Sequence, residues 1–251
     1  MNEEKQKKNR FPSAFARLGR AAAGLLYPRG ANCLCCGDPR RASEADCLCN
    51  DCRRRLGKKH LPPGACPRCL MPLEKGKPCA FCRSPFMKPI QRVYAPYRYA
   101  GEVRRLIHAL KFDACDEALP LLAGPMADSL TDRDFDCLTP VPLHPRRLRQ
   151  RGVNQALLLC RELEKRTGIP TREYLKRIRY RRPQSLTPMD RRPGNVAEDF
   201  SALPEAAGKR IMLVDDVRTT GSTAWACAKA LREAGAESVS LCVYAAVYRK
   251  K

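Results

Sequence analysis

No apolar run in the 251-residue chain approaches the ~20 residues that a helix needs to cross a bilayer, so it does not read as a chain built to span one. Residues 1–10 are basic but lead into no continuous apolar stretch, so no secretory leader is expected. The chain reads as cytoplasmic, with any membrane association made through a partner. Acidic side chains are in short supply, 26 against 48 Lys and Arg, which leaves a formal charge of +22. A surplus of that size favours polyanionic partners, nucleic acid or phosphorylated substrates, and decides nothing about fold. Aromatic residues make up only 6% of the chain. No basic strand is interleaved with aromatics of the kind that stacks single-stranded bases. Arg179–Arg182 with Tyr180 comes nearest, and a flexible loop over a substrate explains it as well. Residues 31–90 lack apolar periodicity, so they cannot build a core of their own and need a staple.

The staple is cysteine. Ten of the fifteen cysteines lie between Cys33 and Cys82. Cys33-x2-Cys36 is followed by Cys49-x2-Cys52, and Cys66-x2-Cys69 by Cys79-x2-Cys82. Each pair presents two thiolates from one knuckle turn, and two knuckles complete a tetrahedral site of four sulfurs. Pairing in sequence order gives two structural zinc ribbons, interleaved pairing also satisfies the spacing, and iron–sulfur binding is the lesser alternative, since thiolates ligate such clusters too. With four protein ligands each, such sites have no open position for chemistry. A module held by metal is expected to unfold without it, leaving a following domain intact. Cys35 and Cys47 are left over, and Cys115, Cys137, Cys160, Cys227 and Cys242 read as small buried residues.

Around this module the chain has three parts: a basic tail and amphipathic helix over 1–30, the cysteine-rich segment over 31–90, and an α/β domain over 91–251. In the first part Phe11, Phe15, Leu18, Ala22, Leu25 and Leu26 fall at helical spacing, and Pro28 and Gly30 end the helix. Its apolar stripe is expected to dock on the neighbouring domain. Beyond Arg92, Val93–Tyr99 reads as a strand or hairpin, Glu102–Lys111 as a helix and Asp136–Val141 as a strand. A helix over Arg149–Thr167, a strand over Arg210–Val214, a helix over Ser222–Glu233 and a strand over Ser238–Val247 follow. Alternation of this kind implies βαβ units and a parallel sheet.

The segment Ile211–Thr223, IMLVDDVRTTGST, carries the chemistry. Four apolar residues make a buried strand, and Asp215 and Asp216 emerge at its C-terminal end, where open α/β sheets bind ligands. A turn of Arg218, Thr219, Thr220, Gly221, Ser222 and Thr223 then runs into a helix, whose free N–H groups and positive dipole end suit a phosphate. The two carboxylates can accept hydrogen bonds from vicinal sugar hydroxyls. Ribose 5-phosphate has both features a few ångströms apart. Arg146, Arg147 and Arg151, after a short strand, can hold pyrophosphate oxygens bidentately, and Lys111 is a further candidate cation.

These thirteen residues resemble the phosphoribosyl pyrophosphate (PRPP) signature of type I phosphoribosyltransferases. Pro140–His144 with Arg146, Arg147, Arg151, Gly152, Asn154 and Gln155 resembles the corresponding segment of the ComF family of competence-associated proteins. So do His108–Phe112 and the run Gln184, Arg192, Asn195 and Phe200, although Thr187 stands where a leucine is expected. The resemblance implies a type I phosphoribosyltransferase-like parallel sheet with flanking helices, preceded by a double zinc ribbon. It further implies PRPP bound with Mg²⁺, Asp215 and Asp216 fixing the ribose during displacement at C1′, and a role in DNA uptake beside other uptake proteins. Fold does not decide activity. A phosphoribosyltransferase with an unread acceptor and a single-stranded nucleic-acid-handling factor that keeps the PRPP site as a sensor or scaffold both remain open at this stage.

Overall fold

The computed structural model describes residues 32–38, 47–73, 77–112, 118–179 and 197–248. The chain divides into two units, Met1–Cys49 and Asn50–Lys251. The helix expected within residues 1–30 and the stretch 180–196 lie outside the described residues. In the first unit the Cys33–Gly37 turn closes when the Gly37 N–H donates to the Cys33 carbonyl at 2.8 Å. Gly37 sits at φ 75°, a left-handed conformation that costs a residue with a Cβ about 1–2 kcal/mol.

The second unit opens with helix α1, Asn50–Gly57. Two short strands follow, β1 Val93–Tyr94 and β2 Tyr97–Arg98, then helices α2 Gly101–Phe112 and α3 Ala118–Asp128. Strand β3, Cys137–Pro140, leads into α4 Pro145–Arg151 and α5 Gln155–Thr167. A two-stranded antiparallel ladder, β4 Leu175–Arg177 with β5 Phe200–Ala202, stands apart from the main sheet. Strand β6 Arg210–Arg218, helix α6 Ser222–Glu233 and strand β7 Ser238–Ala246 complete the fold.

The main sheet runs β1-β7-β6-β3, with β2 also pairing β7, and every pairing is parallel. Parallel strands are covered on both faces and read as apolar runs. Accordingly Ile211, Met212, Leu213 and Val214 are each fully buried. Helix α6 packs on the face carrying Ile211, Leu213, Leu241 and Val243, while α3 and α5 pack against β6, β7 and β3 with Leu122, Met126, Leu159 and Leu163 buried. Asp136 starts the β3–β6 pairing: its carboxylate accepts the Arg210 N–H at 2.7 Å, and its own N–H donates to the Arg210 carbonyl.

Three elements differ from the sequence reading. The helix expected over Arg149–Thr167 is two helices, because Gly152 takes φ 78° as the cap of α4 and Asn154 caps α5 by accepting the Ala156 N–H. The Val93–Tyr99 segment is not a hairpin. Both pieces run parallel beside β7, and Ala95-Pro96 interrupts them, since proline has no N–H to offer the ladder. Helix α3, apolar nearly all round, lacks the periodic signature by which a surface helix is read.

The second cysteine group belongs to the core of the α/β unit. Cys66 and Cys69 are buried in one cluster with Met87, Ile90, Trp225, Leu213 and Leu241. The Arg68 carbonyl accepts the Val93 N–H at 2.8 Å, and the Arg68 guanidinium donates to the carbonyls of Met87, Ile90 and Gln91. The expected independence of a metal module from the α/β domain therefore does not extend to this ribbon.

Candidate functional site: the β6 strand end and the second cysteine group

Strand β6 runs past the expected Val214 to Arg218, carrying the acidic pair with it. Alternation along a strand sends Asp215 and Asp216 to opposite faces. Asp215 is half-buried and lines a small cavity of about 50 Å³ with Thr219, Thr220, Gly221, Ser222 and Thr223, whereas Asp216 is 6% exposed and does not line it. The Asp215 carboxylate also accepts the Asp216 N–H at 2.9 Å. Gly221, at φ 87°, turns the chain into α6, where its carbonyl accepts the Trp225 N–H. Thr220 and Ser222 hydroxyls lie 2.9 Å apart across the turn, and Thr219 and Thr220 are exposed. The result is a hydroxyl-rich helix N-terminus beside a carboxylate, at the C-terminal edge of a parallel sheet.

The arginine segment leaves the same edge. The Val141 N–H donates to the Val214 carbonyl at 2.9 Å, so the Pro142–Arg151 segment and Asp215 diverge from adjacent points of the sheet. His144 Nδ1 caps α4 by accepting the Arg146 N–H. Arg146 is exposed, Arg147 and Arg151 are half-buried, and Arg151 donates to Gln155. Asn154 holds the segment down through its amide, which donates to the Val141 carbonyl at 3.1 Å. Lys111 falls near the end of α2, and its side chain lies outside the described residues.

Arg218 behaves differently from the rest of the turn. It contributes to the lining of the small cavity, yet it is 4% exposed and its guanidinium runs toward the second ribbon. Its Cζ stands 5.5 Å from the centre of the Phe81 ring, and Nη2 reaches the Met71 sulfur at 3.6 Å. Burial lowers its pKa from the ordinary arginine range, and negative charge on Cys69 and Cys79 would act in the opposite direction.

The sulfurs pair in sequence order. The Sγ atoms of Cys33, Cys36, Cys49 and Cys52 all lie within 4.8 Å of one another, and so do those of Cys66, Cys69, Cys79 and Cys82. Tetrahedral Zn–S bonds of about 2.3 Å put neighbouring sulfurs about 3.8 Å apart. The separations Cys36–Cys49 at 3.8 Å, Cys66–Cys82 at 3.5 Å and Cys69–Cys79 at 3.4 Å fit a metal of that size. Burial pushes the Cys66 thiol up, but the backbone N–H groups of Cys69 and Arg68 outweigh it and bring it down to about 7. Cys33 likewise falls to about 7, its burial outweighed by N–H groups led by that of Cys49. Arg55 donates to Cys52 Sγ at 3.1 Å and pairs with buried Glu102 at 3.0 Å.

Phe81, Met71 and Glu102 had no functional reading in the sequence. Phe81 could have been noticed, since it is an aromatic inside a Cys-x2-Cys knuckle. Cys137, Cys160, Cys227 and Cys242 are buried, and desolvation raises each of their pKa values, as small core residues require.

A phosphoribosyl transferase domain model matches residues 150–251. The chain is 32% identical over 204 residues to the DNA utilization protein YhgH of Escherichia coli (strain K12), covering 77% of this chain and 88% of that protein. It is 38% identical over 111 residues to Competence protein F of Haemophilus influenzae, 42% of this chain and 48% of that one. To the competence protein ComFC of Streptococcus pneumoniae it is 26% identical over 224 residues, 82% of this chain and 96% of that one. With a parallel phosphoribosyltransferase-type sheet and two four-cysteine groups toward its N-terminus, the chain belongs to the ComF family.

Proposed function

We propose that the β6–α6 turn binds PRPP or another ligand containing ribose 5-phosphate. The observation that carries this reading is the shared edge: Asp215, the hydroxyl turn and the arginine segment all start from adjacent ends of β6 and β3. On this reading Thr219–Thr223 and the N-terminus of α6 take the 5′-phosphate, Asp215 and Asp216 accept the ribose hydroxyls, and Arg146, Arg147 and Arg151 face the pyrophosphate. A half-exposed carboxylate beside substrate phosphates also suits Mg²⁺, which binds through one or two carboxylates and keeps several waters. When bound, it would neutralise charge on the pyrophosphate. In a transfer reaction the C1′–O bond to pyrophosphate breaks as an acceptor bonds to C1′, and the protein contributes positioning and charge stabilisation. The two four-cysteine groups would each hold structural zinc.

A second reading is favoured by the charge of +22 and by the names of the relatives. Here the protein handles single-stranded DNA during uptake, in company with other uptake proteins, and the phosphoribosyl site serves as a sensor. One experiment separates the two. The protein is incubated with PRPP and Mg²⁺, with and without bases and single-stranded DNA, and pyrophosphate release is followed alongside calorimetric binding. Release supports transfer. Binding without release supports the sensor, and no PRPP binding overturns both roles for the site.

A further inference from the structure

The second cysteine group and the phosphate turn touch through Arg218 and Phe81. Arg218 is the residue immediately before the turn, yet its guanidinium is sealed under the ribbon at 4% exposure. Its Nε is buried with no hydrogen-bond partner among the described residues, a position that leaves a cation's charge to be met by something other than ordinary acceptors. The groups that meet it are the Phe81 ring, inside the Cys79–Cys82 knuckle, and the Met71 sulfur, two residues beyond Cys69; negative charge on Cys69 and Cys79 also acts on it. A site of four thiolates holding Zn²⁺ keeps two surplus negative charges, so these sulfurs are the natural counter-ion of a buried arginine. Phe81 belongs to the Cys79–Cys82 knuckle, and its ring edge lies 3.9 Å from where a Cβ on Gly221 would stand. The same ring lies parallel to Phe86, which meets Trp225 edge-on, and Trp225 sits in the first turn of α6. The knuckle thus braces the phosphate turn from its start at Arg218 to its end at α6.

We propose that Arg218 is a positioning residue that couples the metal site of the second cysteine group to the phosphate turn, so that metal in the ribbon holds the turn in its binding form and a bound phosphoribosyl ligand slows loss of that metal. The ligand half of this proposal rests on the phosphoribosyl reading of the turn; the metal half does not. Such coupling is reciprocal by thermodynamic necessity. Groups that act on a metal through its ligands typically change its affinity by about 10–100-fold when removed.

The test is metal release from the full chain to a chromophoric chelator, in a Cys33→Ser, Cys36→Ser background where only the second group is loaded. Arg218→Met fills the same space without charge and should release metal about tenfold faster or more, while Arg218→Lys should return toward the parent rate. PRPP with Mg²⁺ should slow release from the parent and leave the Arg218→Met variant unaffected. If Arg218→Met does not fold, Phe81→Leu carries the test, because it keeps every ligand and every charge but removes the ring beneath the guanidinium. Its release should no longer respond to PRPP. Parent-like release from Arg218→Met, or full PRPP protection in Phe81→Leu, overturns the proposal. A parent that binds no PRPP overturns the phosphoribosyl reading and with it the ligand half. The ligand-free rates of Arg218→Met and Arg218→Lys still decide the metal half.

Discussion

Asp215 and Asp216 are neighbours in sequence but not in environment. One is half-buried over a small cavity with the hydroxyl turn, and the other is almost wholly enclosed at 6% exposure. If both accept ribose hydroxyls, changing both to Asn should weaken PRPP binding. Hydrogen bonds to a charged acceptor contribute about 1.5–3 kcal/mol each, so two should amount to a hundredfold or more. Thr219→Ala should act separately, through the 5′-phosphate, and should weaken ribose 5-phosphate as well. Calorimetric titration of the parent and the variants measures both effects, and equal affinity in the double variant would remove these carboxylates from the site. The pair was legible as a motif in the sequence. Which carboxylate lines the cavity was not, because that depends on the pleat of β6 and on what covers each face.

Among the elements, the second ribbon and strand β3 each make a prediction. Cys66 and Cys69 share a core cluster with Trp225, the only tryptophan of the chain, and Phe86 joins the two. Elemental analysis should find two metal ions per chain. Chelation should then alter the emission of Trp225 and lower the melting temperature of the α/β unit. Unchanged emission after both ions have left would show the ribbon to be dispensable to that core. At the start of β3, the backbone N–H and guanidinium of Arg210 hold the Asp136 carboxyl below its usual range. A carboxylate with a depressed folded-state pKa stabilises the fold above its unfolded value near 3.9, and that contribution fades as pH falls through the folded value. Asp136→Asn should therefore lower the urea midpoint at neutral pH. Its deficit should vanish in strong acid, and a deficit independent of pH would point to packing instead.

For the whole molecule the decisive quantity is charge. If the basic surface binds single-stranded DNA, the affinity should tolerate changes of sequence. It should also fall about a hundredfold between about 50 and 200 mM salt for about five neutralised phosphates, because released counterions drive the association. Fluorescence anisotropy with unrelated oligonucleotides checks this, and an affinity indifferent to salt would assign binding to something other than that surface. The sequence by itself determined the parallel sheet, the cysteine groups and the strand-turn-helix after Ile211, because apolar runs, Cys-x2-Cys spacing and a glycine turn before a helix are local patterns. It did not determine that Gly152 breaks a helix, that β1 and β2 follow one another along the same edge of β7, or that Arg218 turns away from the hydroxyl-rich turn. Those outcomes depend on residues distant in the chain: β7 offers the parallel edge, and the Phe81 ring and the Met71 sulfur meet the guanidinium. Only the packing of Met71 and Phe81 against Arg218 at the end of β6 brings those partners together, and no local pattern in either segment encodes that contact.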